Sequence, residues 1–269
     1  MKNIKLILCD LDGTLLSDDK KISEHTISII QKAREQGIRF GLATGRSLYA
    51  VDVLLDEWKI RDQCDVLLGF NGAQIIMPNE NISELNDPIK GSCCIDIIHH
   101  FEDLPINFSV YDKRNLHAYR HDDLSIAISR DNRFTEMEMG DIHEFFKRDF
   151  PKLVIMCHPQ DMEAVIERSK SISSPDFNCF KTTPTLFEFV NPKVCKSNGI
   201  KRICDILNIT MDEVCVFGDA QNDHDMLQHA GLGVCMINGD DKTKALSDDI
   251  TDLDNNHDGV ADYIHKHFL

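Results

Sequence analysis

At 269 residues, with 42% hydrophobic and 28% charged side chains, the chain has the composition of a soluble globular protein and can form one large or two smaller domains. A formal net charge of −16, from 45 acidic and 29 basic residues, disfavours nucleic acid and anionic membranes as partners. No apolar run approaches the ~18 residues of a membrane span. No signal-peptide pattern opens the sequence, and its ten cysteines, with no CxxC spacing, read as reduced core residues of a cytoplasmic protein.

Ile4–Cys9 is a continuous apolar run and reads as a buried strand. Ser23 caps a helix whose apolar stripe of Thr26, Ile27, Ile30 and Ala33 stops at Gly37. Ile38–Ala43 reads as a strand, Ser47–Trp58 as a helix and Val66–Gly69 as a third strand, the alternation of a parallel α/β sheet. From Ile82 to Thr185 the texture changes. Phe108–Tyr111 and Leu116–Tyr119 flank a hairpin turn at Asp112-Lys113-Arg114-Asn115. Asp141–Phe150 and Asp161–Ser171 read as helices, Leu153–Cys157 and Asn178–Lys181 as extended. The earlier alternation then resumes: a helix over Lys196–Leu207, a strand over Val214–Phe217, a helix over Asp223–Ala230, a strand over Leu232–Cys235, and helices over Lys242–Leu246 and Val260–Phe268. The predicted architecture is α/β: a Rossmann-like, doubly wound parallel sheet formed by residues 1–81 and 186–269, with an α+β domain of residues 82–185 inserted into it.

Ligands of such sheets bind at the carboxyl ends of the strands. There the sequence places Asp10 and Asp12, then Thr44-Gly45-Arg46 and Asn71-Gly72, then Asp219 with Asn222 and Asp223, while Lys196 opens a helix. Clustered carboxylates repel one another unless a cation joins them, and oxygen-only ligands suit Mg²⁺. Lys196, the Thr44 hydroxyl and backbone amides around Leu11–Thr14 and Gly45 could then face phosphate oxygens. Those are the parts of phosphoryl transfer, in which a carboxylate can be the nucleophile.

DLDGTL, ATGR, Lys196 with Gly199, and GDAQND together resemble the four ordered motifs of the haloacid dehalogenase superfamily. The long insertion between the second and third motifs is similar to the cap of its Cof-type phosphatases, and Asn71-Gly72-Ala73 and Asp258-Gly259-Val260 fit the same group. The resemblance implies Asp10 as nucleophile and Asp12 as general acid/base. It implies Mg²⁺ held by the Asp10 carboxylate, the Asp12 carbonyl and Asp219, with Asp223 supporting its water shell. Phosphate would meet the Leu11 amide, Thr44, Gly45, Lys196 and Asn222, and Arg46 would face substrate. Met236-Ile237-Asn238-Gly239 departs from the family's usual MGNA stretch. The implied function is Mg²⁺-dependent hydrolysis of small phosphorylated metabolites, sugar phosphates among them, by a monomer or small homo-oligomer. A phosphomutase of the same superfamily and a non-catalytic phosphometabolite-binding regulator are the alternatives.

Two other patterns invite metal readings. Asp254-Asn255-Asn256-His257-Asp258-Gly259 opens like a calcium loop, but its twelfth position is His265, which favours a surface turn. His99-His100 lacks ligand spacing and reads as part of the inserted domain's core region. No GxxxxGK[ST] loop is present, which disfavours a nucleotide-driven NTPase.

Overall fold

The computed structural model describes residues 3–269. The chain forms two compact units: one runs up to Asn86 and resumes over Cys195–Leu269, and the other is Asp87–Val194.

The first unit opens with β1 (Leu6–Cys9), α1 (Glu24–Glu35), β2 (Arg39–Ala43), α2 (Leu48–Glu57), β3 (Val66–Gly69), β4 (Gln74–Met77) and β5 (Ile82–Leu85). Ser23 and Ser47 cap the two helices, their hydroxyls accepting from the amides of Thr26 and Tyr49. The inserted unit contains α3 (Gly91–Phe101), β6 (Asn107–Asp112), β7 (Asn115–Ala118), α4 (Asp123–Asp131), β8 (Thr135–Glu138), α5 (Ile142–Phe145), β9 (Leu153–Met156), α6 (Met162–Ser169), β10 (Asn178–Thr183) and β11 (Leu186–Val190). The first unit closes with α7 (Lys196–Leu207), β12 (Val214–Gly218), α8 (His224–His229), β13 (Leu232–Cys235), α9 (Asp241–Leu246), β14 (Asp249–Ile250) and α10 (Gly259–Phe268).

Its sheet runs β14-β13-β12-β1-β2-β3-β4-β5, parallel from β14 to β3. Strand order reverses between β1 and β12, so their carboxyl ends form the crevice where such sheets bind ligands. Burial on both faces explains the uninterrupted apolar strands. Ile7, Cys9, Cys215 and Phe217 belong to one core cluster, with residues of α1 and α10, while Leu6, Leu8, Val214 and Val216 belong to another, with residues of α7 and α8.

Two departures from the expected layout have the same cause. The sheet is not wholly parallel: β4 and β5 extend it as an antiparallel hairpin. In the inserted unit, β11 pairs with β9 and β10. The compact units therefore divide after Asn86 and before Cys195, rather than at 82 and 185. In both places a strand's partner lies in the unit opposite to the one its sequence position suggests. The helix expected over 141–150 covers only Ile142–Phe145, because the chain then turns so that Phe150 can bridge to Ile89.

The inserted sheet runs β10-β11-β9-β6-β7-β8. Its core joins Ile97, Phe101, Phe108, Ile155 and Phe189, among others. His99 and His100 end α3, and His100 Nε2 lies 3.0 Å from the Ser171 hydroxyl rather than in a ligand cluster. His117 on β7 is buried with no hydrogen-bond partner for either ring nitrogen. All ten cysteines are free, and among the described residues no helix is long and apolar enough to cross a membrane.

The turn after β3 fixes where α7 begins. Gly72 has φ +113°, and a Cβ there would lie 2.2 Å from the Cys195 carbonyl oxygen. The α7 N-terminus is thus seated directly against this turn. Gly72→Ala combines backbone strain with a backbone clash, so urea unfolding should show a loss of about 2 kcal/mol or more.

Burial holds the His117 imidazole below its usual range, with Arg148 adding to this and Asp112 opposing. The neutral ring is favoured in the folded protein. Its contribution to stability is present above the unfolded value of about 6.5 and lost as pH falls through the folded value. His117→Phe keeps the ring beside Phe145 and removes the titration, so its melting temperature should fall less than wild type's on acidification from about pH 7 to pH 5.

Candidate active site

Asp10 follows β1 directly and Asp219 follows β12, so the parallel pairing of these strands brings both carboxylates to the switch point. The Asp10 amide donates to the Phe217 carbonyl at 2.9 Å, extending the ladder to that residue. The chain then turns sharply. Gly13 has φ +83°, and a Cβ there would sit 2.5 Å from Asp219 Oδ2, so only glycine lets the turn pass this carboxylate. Thr14, at the end of the turn, donates its hydroxyl to Asp219 Oδ1 at 2.7 Å.

Lys196 ties these pieces together. Its side chain is fully buried, and Nζ donates to Asp10 Oδ1 and to Asp223 Oδ1, both at 2.6 Å. Asp223 Oδ2 accepts from the amides of Asp219 and Ala220, so both of its oxygens are engaged in holding the site. The expectation that Asp223 supports a metal's surroundings thus meets a residue committed first to Lys196 and the strand-end turn.

Burial pushes Asp10 up to about 7; Lys196 pulls it down, while Asp223 and Asp219 push it further up. Burial likewise raises Asp219 to about 6, against the Thr14 hydrogen bond. Lys196 is held above its usual range: burial lowers it, but Asp10 and Asp223 outweigh that. Three carboxylates around one ammonium leave two negative charges uncompensated. Asp10, Asp219 and Asp223 each offer an oxygen, and these oxygens lie within 4.8 Å of one another. An all-oxygen donor set of that charge fits a hard divalent cation.

Asp12 occupies different surroundings. Arg46 grips it with Nε on Oδ2 at 2.8 Å and Nη2 on Oδ1 at 2.7 Å, and Lys20 Nζ adds a bond to Oδ1 at 2.7 Å. Burial pushes Asp12 upward, but these hydrogen bonds from Arg46 and Lys20 prevail and hold it below the usual carboxylate range. Arg46, expected to face substrate, has its guanidinium on Asp12 in this structure.

The remaining expected residues surround these two clusters. Leu11 is buried at the start of the turn. Thr44, also buried, follows β2, and its hydroxyl accepts from the Arg46 amide at 3.2 Å. Gly45 lies against Asn71, since a Cβ there would come within 3.1 Å of Asn71 Oδ1. Asn222 is exposed in the short turn before α8.

Sequence reasoning missed Lys20, the Asn71 contact and Asn238. The Asn71 carboxamide oxygen is buried without a hydrogen-bond partner on a left-handed backbone with φ 54°. Asn238, in the stretch that departs from MGNA, donates to the Gly13 carbonyl at 2.7 Å and so steadies the turn from outside. The Asn71-Gly72 pair, a dipeptide that favours left-handed turns, was a usable signal for the second of these; nothing local marks Lys20.

Acids gathered at the switch point of an α/β sheet, with a buried ammonium between Asp10 and Asp223, are an arrangement suited to a hydrolase of the α/β class. The profile of the haloacid dehalogenase-like hydrolases matches residues 7–264, and the chain belongs to that family. It is 27% identical over 270 residues to the 5-amino-6-(5-phospho-D-ribitylamino)uracil phosphatase YitU of Bacillus subtilis, covering 98% of this chain and 97% of the relative. Among solved structures, a haloacid dehalogenase-like hydrolase from Bacteroides thetaiotaomicron superposes with a TM-score of 0.87 at 26% identity, covering 98% of this chain and all of that one. A Thermotoga maritima protein superposes with a TM-score of 0.84 at 29% identity, covering 99% and 98% of the two chains. The protein is a phosphatase of this family.

The charge deficit gives a direct test. A divalent cation at about 100 times its dissociation constant should stabilise the wild type by roughly 2.7 kcal/mol. Asp219→Asn should remove most of that thermal shift, while an equally large shift in the variant would place the cation elsewhere.

Proposed function

We propose that the protein is a Mg²⁺-dependent phosphatase of small phosphorylated metabolites, sugar or polyol phosphates, working through an aspartyl-phosphate on Asp10. The observation that carries this reading is the Asp10 carboxylate, buried at the head of β1 with Oδ1 fixed by Lys196 and flanked by Asp219. A carboxylate held by one oxygen presents the other as a nucleophile of defined direction. The name of the Bacillus subtilis relative supports the substrate class, since its substrate is a ribityl phosphate.

In this reading Asp10 Oδ2 attacks phosphorus as the ester P–O bond breaks. The electron pair stays on the departing oxygen, which takes a proton from Asp12. Water then attacks the phosphorus of the aspartyl-phosphate, its proton passes to Asp12, and the P–O bond to Asp10 breaks to restore the carboxylate. Lys196, Thr44, Asn222 and the amides of Leu11 and Gly45 hold the phosphoryl oxygens through both steps. Mg²⁺ would be held by Asp10, Asp219 and the Asp12 carbonyl, and when bound it supplies positive charge to the phosphoryl oxygens and relieves the crowding of acids. Asp223 acts from behind by keeping Lys196 and the β12 turn in place.

Asp10→Asn should cut phosphate release from p-nitrophenyl phosphate by a factor of about 10⁴ or more, and chelation followed by Mg²⁺ addition should abolish and restore wild-type turnover. Wild-type rates from a clean Asp10→Asn preparation would sink the mechanism. A kcat/KM survey over phosphorylated metabolites decides the substrate class: preference for sugar and polyol phosphates supports it, and isomerised sugar phosphate in place of free phosphate contradicts it.

A further inference from the structure

We propose that Asn71 is a positioning residue that holds the Thr44–Gly45 peptide in the orientation phosphate binding requires. The proposal rests on the reading of the Gly45 amide as a donor to the phosphoryl group. It starts from backbone strain after β3. Phe70, Asn71 and Gly72 have φ values of 48°, 54° and 113° in succession. Glycine adopts this region freely and asparagine tolerates it, but for a phenylalanine it is an outlier. Such strain persists only where the surroundings enforce it, and it gathers at functional sites. The seating of α7 accounts for Gly72 and leaves the two residues before it unexplained.

The left-handed pair turns two amides back onto the loop after β2. Phe70 donates to the Arg46 carbonyl and Asn71 to the Thr44 carbonyl, each at 3.0 Å, while the Thr44 amide donates to the Leu68 carbonyl at 2.8 Å. A trans peptide is planar, and its C=O and N–H point in opposite directions. The Asn71 bond draws the Thr44 carbonyl toward β3, so the N–H of the same peptide, that of Gly45, points the other way. β2 lies between β3 and β1, and Asp10 follows β1. The Gly45 amide is thus aimed toward the Asp10 side, and it donates to no group among the described residues.

Glycine offers little resistance to rotation of its peptide, so that aim needs a brace. The Asn71 side chain supplies the second contact. Its carboxamide lies across Gly45, where a Cβ would come within 3.1 Å of Oδ1 and 3.3 Å of Nδ2. It fills the side of Gly45 into which the peptide would turn over. The arrangement is costly, since Oδ1 is buried without a partner. Leucine has a similar branched end and no oxygen to orphan, but it resists the left-handed backbone. Asparagine combines that backbone with that shape and adds no negative charge beside an anion.

The test is Asn71→Gly, which keeps the left-handed backbone and its amide and removes the carboxamide. With Mg²⁺ present, kcat/KM should fall about tenfold on p-nitrophenyl phosphate and on glycerol phosphate alike, because both present the same phosphoryl group. The inhibition constant of orthovanadate, a mimic of the phosphoryl group in transfer, should rise about tenfold. That constant does not depend on how much of a preparation is folded, so a merely structural role would leave it unchanged. In Gly45→Ala the added methyl meets Oδ1 and should weaken vanadate as well. In the Asn71→Gly background the same methyl fills the vacated place, so the double variant should bind vanadate at least about threefold more tightly than the two losses multiplied together. An unchanged vanadate constant, losses that differ more than about threefold between the two esters, or losses that simply multiply in the double variant would each overturn the proposal. Should Asn71→Gly fail to fold, Asn71→Ala is read in its place on the same constants. Wild type that neither releases phosphate from these esters nor binds vanadate removes the proposed function, and this role with it. Wild-type turnover with unchanged constants in Asn71→Gly removes Asn71 alone.

Discussion

The site depends on a fully buried ammonium. Lys196 sits between Asp10 and Asp223 with no exposure to water, and neither acid could remain ionised at that depth without it. A buried ion pair is poor at stabilising a fold, because desolvation consumes most of the Coulombic gain. What it does well is fix geometry, since breaking any one contact leaves an uncompensated charge. Through Lys196 the start of α7 is bound to the end of β1 and to the turn after β12, three segments far apart in sequence. The close seating of Gly72 against Cys195 makes this possible by setting the height at which α7 begins.

From that constraint follows a division of labour between two acids one residue apart. Asp10 points inward, where burial and neighbouring carboxylates raise its affinity for a proton and only Lys196 opposes them. Asp12 points toward solvent, where hydrogen bonds from Arg46 and Lys20 outweigh its partial burial. Residues two apart in a strand share a face, so it is the turn beginning at Leu11, with Gly13 at φ +83°, that sends them to different environments. Groups whose surroundings push their titrations apart are suited to different tasks in one reaction. The inward acid is held as a fixed, directed carboxylate, and the outward one has access to water and to mobile protons.

How much of this was legible in the sequence depended on whether the information was local. Asp10, Asp219 and Lys196 stand at the ends of apolar strands or the start of an amphipathic helix, so strand-end geometry alone brought them together. Arg46 stands where the sequence places it, but its contact with Asp12 was not legible, because the sequence marks where a long side chain starts and not which nearby anion it reaches. Lys20 carried no mark at all: its contact with Asp12 arises from a turn held by the Trp58 indole, which donates to the Lys20 carbonyl, and by Asn255, which donates to the Leu16 carbonyl. In the first unit, Ile82–Leu85 is a four-residue strand with an alternating half-exposed pattern, too short to outweigh its surroundings. Helix α4 escaped notice because its buried positions are Ser125 and Ser129, not apolar residues.

The chain's last segment shows why pattern matching failed differently at Asp254–Gly259. Its carboxylates and carboxamides follow one another as in the opening of a cation loop, yet here they satisfy backbone amides and carbonyls and neighbouring side chains. Asp254 accepts from the Asn256 amide, Asp258 accepts from the Thr26 hydroxyl, and the Asn255 amide donates to Asn238. Asn238 in turn holds the Gly13 carbonyl, so hydrogen bonds connect the start of α10 with the turn carrying Asp12. Short polar side chains suit both tasks because each demands dense oxygen and amide groups on a tightly curved backbone. What separates the two outcomes is the neighbour. A cation loop closes on itself around an ion, whereas this one spends the Asn255 carboxamide donors on the Leu16 carbonyl and the Asp18 carboxylate. The turn it steadies bears Lys20, whose ammonium pairs with Asp12, so residues some 240 positions downstream bear on the second acid of the opening motif.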